Sequence, residues 1–209
     1  MPRRFTPFIQ NQYYHFYNRG NNRQYIFFER ANYLYFLQDI KKYLVEYMDI
    51  IAYCLMPTHY HILARVKPLE LCNTQLTDAE DDETSAFISK AMQMFSISYT
   101  KVINKRYNRV GALFQGQFQG KLIQESSHLS HICVYIHANP VKDKLVSLPE
   151  DWEFSNYLEW INLRNGTLID QQFIKDNFDT SEQYKNLVLD YIKTRNLPDP
   201  VSRFLHTME

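Results

Sequence analysis

Two histidines one residue apart, His59 and His61, stand in the segment Pro57-Thr58-His59-Tyr60-His61-Ile62-Leu63. In an extended strand side chains alternate between faces, so both imidazoles share one face while Tyr60 and Ile62 take the other. Two strand rises separate them by about 7 Å, close enough for both rings to converge on one metal ion. Two half-exposed histidines on an open sheet face have the same spacing, so a ligand pair needs a further donor from another element.

A second group is Tyr135-Ile136-His137-Ala138-Asn139-Pro140. On a helix Tyr135 and Asn139 are four apart and therefore neighbours on one face, and His131 continues that stripe four residues earlier. His137 falls elsewhere and reads as structural or solvated. The chain has 16 tyrosines, and most of them, Tyr60 included, read as core. Tyr135 stands apart because of Asn139 beside it and because the Asn-Pro step predicts a helix stop at Pro140.

The elements that would carry these groups follow from the hydrophobic periods. Residues 13–18 read as an aromatic strand closed by Gly20-Asn21-Asn22. Leu34, Leu37, Ile40 and Leu44 place a helix over 30–47. Residues 49–56 and 59–66 read as two strands of a hairpin across Pro57-Thr58. A long helix is expected over 84–107, capped by Thr84 or Ser85, then a strand near 120–123, then a helix capped by Ser126 or Ser127. Strand, helix, strand, strand, helix, strand is the α+β, ferredoxin-like β-α-β-β-α-β arrangement, here with an additional helix that carries Tyr135. Residues 161–209 read as a helical C-terminal appendage to a domain over 1–160.

The chain has 209 residues, 45% of them hydrophobic and 22% charged, a globular composition that excludes wholesale disorder. The longest apolar run, from Ile50 to Met56, is far short of the ~20 residues of a membrane helix. The basic start has no apolar stretch behind it, and Cys54, Cys72 and Cys133 form no paired motif. The expectation is a cytoplasmic protein without a signal peptide. Net charge is zero, yet residues 86–124 contain six Lys or Arg and no Asp or Glu. Such a stretch is a footprint for phosphate, or else a solvated face whose acids lie elsewhere in the fold.

MPTHYHIL, LFQGQF and YIHANPVK, in this order and spacing, resemble the REP-associated tyrosine transposases, which sit within the single-tyrosine HUH endonucleases of bacterial insertion sequences. HFYNRGNNRQYIF (His15 to Phe27) and DWEFSNY (Asp151 to Tyr157) resemble family segments as well, so the likeness covers about residues 10–160. The resemblance implies a metal-dependent endonuclease and strand transferase acting on single-stranded or hairpin DNA, without a membrane partner, as monomer or homodimer. It implies Tyr135 as the nucleophile that forms a 5′-phosphotyrosine, and His59, His61 and Asn139 as ligands of Mg²⁺ or Mn²⁺. His131 is a candidate proton acceptor by position only.

DNA contacts are expected from Arg3, Arg4, Arg19 and Arg23, from Lys101, Lys105, Arg106, Arg109 and Lys121, and from Gln115 and Gln117. Tyr99, Tyr107, Phe114 and Phe118 could stack on unpaired bases, with at least half of them expected in the core. Gln117 stands where the family commonly has a basic residue, and the acidic segment from Leu76 to Ser85 would repel DNA. Two other readings compete: a hairpin-DNA binder with vestigial catalysis, and an unrelated metal hydrolase that does not use Tyr135.

Overall fold

The computed structural model describes residues 7–68 and 81–206. Arg3, Arg4, Cys72 and the acidic positions before Asp81 lie outside them. The chain divides into two compact units, one made of residues up to Ile50 with Leu55–Leu122, the other of Ile51–Cys54 with Ile123 onward. The expected boundary at residue 160 falls inside the second unit.

In the first unit, β1 (Tyr13–Arg19), α1 (Arg30–Tyr43), β2 (Met48–Met56), β3 (His59–Val66), α2 (Asp81–Arg106) and β4 (Gln119–Ile123) follow in the anticipated order. The sheet runs β2-β3-β1-β4, with β1 antiparallel to β3, which confirms the ferredoxin-like α+β fold. The four central residues of β2 and Ile123 of β4 group with the second unit.

Glu29 and Asn32 close a reciprocal capping box at the start of α1, and the Asn32 Oδ1 also accepts from the Phe28 amide. α1 ends at Tyr43, four residues before the expected end, because the Tyr47 and Met48 amides turn back onto the Leu44 carbonyl as the chain enters β2. α2 begins at Asp81, so Thr84 lies inside it and does not cap it. Its buried hydroxyl accepts from the Gln10 amide instead. Phe36 anchors the core beneath the sheet, with Phe95 at 4.7 Å, Tyr99 at 4.8 Å and Tyr60 at 5.1 Å. Edge-on and tilted packing of this kind suits the ring quadrupoles. Tyr60, Tyr99, Phe114 and Phe118 are all buried, so three of the four candidate stacking aromatics belong to the core and Tyr107 alone is partly exposed.

The second unit contains α3 (Leu129–Lys142), preceded by a 3-10 turn over Ser126–His128, and, among the described residues, four further α-helices. These are α4 (Tyr157–Trp160), α5 (Gln171–Asn177), α6 (Ser181–Thr194) and α7 (Asp199–His206). Pro140 does not stop α3 as expected. It forfeits one amide bond in the last turn, and the Asp143 and Leu145 amides close the end onto the Asn139 and Pro140 carbonyls. Trp160 and Tyr184 pack with ring centroids 4.4 Å apart, tilted by 42°, in the interior of this unit.

Candidate functional site

Three of the five motifs meet at one end of the first sheet. The Gly20 amide donates to the Thr58 carbonyl, and the Ile26 amide to the Pro57 carbonyl, so the segment after β1 is laid against the turn before His59. A side chain on Gly20 would run into the Gln24 backbone, which is why a glycine stands there. The Asn21 amide donates to Leu113 O and the Gln115 amide to Arg19 O, which brings in the glycine-containing loop. The buried Asn18 adds a side-chain bond to the Gly116 carbonyl.

Along β1 and β3 the register pairs Arg19 with His59, Tyr17 with His61 and His15 with Leu63. Paired residues in an antiparallel ladder share a face, so one face presents His59, His61, His15, Tyr17 and Arg19. The rings of His59 and His61 lie 5.1 Å apart and nearly perpendicular. The Nδ1 of His59 is 3.0 Å from the Thr58 hydroxyl, and the Nδ1 of His61 is 3.0 Å from Nε2 of His15. His15 is fully buried, and burial, reinforced by the nearby Lys121 charge, lowers its pKa to about 3, so it is neutral at pH 7. Lys121 is itself lowered by burial.

Tyr135 and Asn139 belong to the second unit, on α3, and are 5% and 2% exposed. The Lys142 ammonium lies 5.1 Å from the Tyr135 ring centroid. His131, on the same stripe, has its pKa lowered by burial and then by His128, which favours the neutral form able to accept a proton. His137 is structural, as one of its two readings had it. It is fully buried, its Nδ1 is 2.5 Å from the Tyr184 hydroxyl and its Nε2 is 2.9 Å from Asn156 Oδ1. Burial lowers its pKa to about 4, against the opposing hydrogen bond to Asn156. An amide oxygen only accepts, so Nε2 carries the proton and Nδ1 accepts from Tyr184. Asn156 also accepts the Tyr53 amide and donates to the Ile51 carbonyl. The YIHANPVK and DWEFSNY motifs therefore meet in this unit through His137 and Asn156.

His59 and His61 offer two imidazole donors to a divalent ion from one strand face. With both Nδ1 atoms engaged, a metal contact falls to Nε2 of His59 and of His61. Among the described residues no group of three or more His, Cys, Asp or Glu could hold a metal. Asn139 has a buried amide nitrogen without a hydrogen-bond partner among the described residues. A half-turn of that amide, which leaves its shape unchanged, puts the oxygen in the same place.

Of the candidate DNA contacts, Arg23, Lys101, Lys105, Arg106, Gln115 and Gln117 are exposed, while Arg19, Arg109 and Lys121 are partly buried. Arg106 pairs with Glu29, and Arg109 lies over the Phe28 ring at 5.6 Å. An open cleft of about 780 Å³ runs between α2 and the loop over residues 112–118, with Lys90, Gln93, Lys101, Phe114 and Gln117 on its walls and, among the described residues, no carboxylate. Sequence reasoning passed over Lys90 and Gln93. Their spacing with Ile97 and Lys101, three to four residues at a time within the acid-free segment, was the available signal. His15 was also assigned no role, since its place beside His61 depends on the register of β1 against β3.

No family model matches the chain. A Haemophilus influenzae protein named "Putative REP-associated tyrosine transposase" is 25% identical over 114 residues, covering 52% of this chain and 58% of that protein. The chain thus matches little more than half of that relative's length. A structure titled as a REP-associated tyrosine transposase bound to a REP hairpin superposes with a TM-score of 0.54 at 16% identity, covering 82% of this chain and 98% of that one. A bacterial tRNA(His) guanylyltransferase-like protein in complex with ATP reaches a TM-score of only 0.41, at 11% identity over 92% of this chain and 73% of that one, and carries no argument. In sequence and in fold, the chain is similar to the REP-associated tyrosine transposases.

Proposed function

We propose that the protein is a metal-dependent single-strand DNA nuclease and strand transferase that works on hairpin DNA. The observation that carries this reading is the imidazole pair of His59 and His61 on one strand face, each ring oriented through its Nδ1, with Arg19 opposite His59. The similar structure bound to a REP hairpin supports hairpin DNA as the partner class.

His59, His61 and Asn139 would hold Mg²⁺ or Mn²⁺, which supplies polarisation of a phosphoryl oxygen. Tyr135 supplies the nucleophile. Its phenolic oxygen forms a bond to phosphorus, the bond from phosphorus to the 3′-oxygen breaks, and that oxygen leaves with a proton as a 3′-hydroxyl. His131, four residues before Tyr135 on α3, is a candidate by position to take the phenol proton. Attack by a 3′-hydroxyl on the phosphotyrosine reverses the exchange, so rejoining needs no nucleotide hydrolysis. Arg19, Arg23, Lys101 and Lys105 position phosphate, while Gln115 and Gln117 address bases.

The test is a denaturing gel of the protein with Mn²⁺ and an end-labelled hairpin carrying single-stranded flanks. A DNA-linked protein band that requires both the metal and Tyr135 supports the reading. A hairpin bound tightly, with no linked band on any flank, leaves a binding protein with vestigial catalysis.

A further inference from the structure

We infer that His15 is a positioning residue for the metal site: its Nε2 accepts the Nδ1–H of His61, which holds that ring and commits the His61 Nε2 lone pair to a divalent cation. The inference rests on the metal reading above and adds to it a residue that is not itself a ligand.

The register pairs Tyr17 with His61 directly, so His15 reaches His61 as its diagonal neighbour on the same face. The two rings stack 5.0 Å apart at 22°, with 3.0 Å between the facing nitrogens. Only one proton fits between them. If it sits on His61 Nδ1, a neutral His61 keeps its lone pair on Nε2, as a ligand requires. If it sits on His15 Nε2, a neutral His61 carries its own proton on Nε2 and cannot ligate there. The Nε2 of His15 is spent on this bond and is not offered to a metal. His15 is 0% exposed, so solvent does not compete for the contact. Thr58 faces His59 Nδ1 in the same way, but a hydroxyl can donate or accept and leaves that tautomer open. The pair is therefore asymmetric, with His61 preset and His59 adaptable.

Two measurements on the full chain test this. In metal-free protein, the ¹⁵N shifts of His61 should show a protonated Nδ1 and an unprotonated Nε2; a protonated Nε2 overturns the inference. Mn²⁺ binding, followed by the loss of free-ion EPR signal, should weaken about 10–100-fold in His15→Leu, the usual cost of losing such a partner. His15→Gln, whose amide oxygen still accepts, should recover most of that loss. Wild-type affinity in His15→Leu, with affinity lost in His61→Ala, overturns this inference and leaves the metal reading standing. Unchanged Mn²⁺ binding in His61→Ala overturns both. Should His15→Leu fail to fold, the ¹⁵N measurement on the unaltered chain still decides.

Discussion

Among the individual residues, those proposed to do chemistry differ in how much of their setting spacing reveals. The shared face of His59 and His61 follows from strand alternation alone, and so does the burial of Tyr60 on the other side. The contact of His15 with His61 depends on a register between segments 46 residues apart, which no local pattern encodes. Two substitutions separate the proposed roles. Tyr135→Phe removes only a hydroxyl and should retain Mn²⁺ and hairpin binding while abolishing covalent attachment, read on a denaturing gel. Cleavage that persists in this variant sinks the tyrosine assignment. His59→Ala should lose Mn²⁺ binding and cleavage together and retain hairpin affinity in a gel shift. Undiminished cleavage there removes the metal from the mechanism.

At the level of elements, β1 through β4 and the two intervening helices were legible, because alternation and the three-to-four spacing are strong signals over segments of this length. The ends were less so. Pro140 was read as a stop, but one lost amide bond in a final turn costs too little to break a helix whose inner turns are wholly buried. The seat of α3 was not legible at all, since it comes from long-range bonds of Tyr184 on α6, Asn156 and the middle of β2. Tyr184→Phe leaves the buried His137 Nδ1 without its donor and should lower the unfolding free energy by about 1–3 kcal/mol in urea titration. Glu159 is buried and accepts two bonds from Arg164, at 2.9 and 2.7 Å, and Arg164 also donates to the Glu153 and Ser155 carbonyls. Glu159→Ala strands that guanidinium and should cost about 3 kcal/mol, the low end for a buried pair because Arg164 is partly exposed.

For the whole molecule, a net charge of zero hides an acid-free segment whose exposed lysines line an open cleft on α2. DNA affinity should therefore fall steeply with salt despite the neutral total. Replacing Lys101 or Lys105 with Gln should flatten the log–log slope by roughly 0.7 for each lysine that contacts a single-strand phosphate. An unchanged slope in both variants places the DNA elsewhere. The five motifs assemble as two groups, three around the turn before His59 and two joined through His137 and Asn156, and the proposed reaction draws on residues of each. The central claim is that Tyr135 becomes joined to DNA. The most direct measurement is mass spectrometry of the protein after reaction with Mn²⁺ and a flanked hairpin, followed by nuclease and protease digestion. The account predicts a nucleotide phosphoryl adduct on the peptide that contains Tyr135, at its phenolic oxygen. An adduct on another tyrosine, or cleaved DNA with no adduct anywhere on the chain, contradicts it.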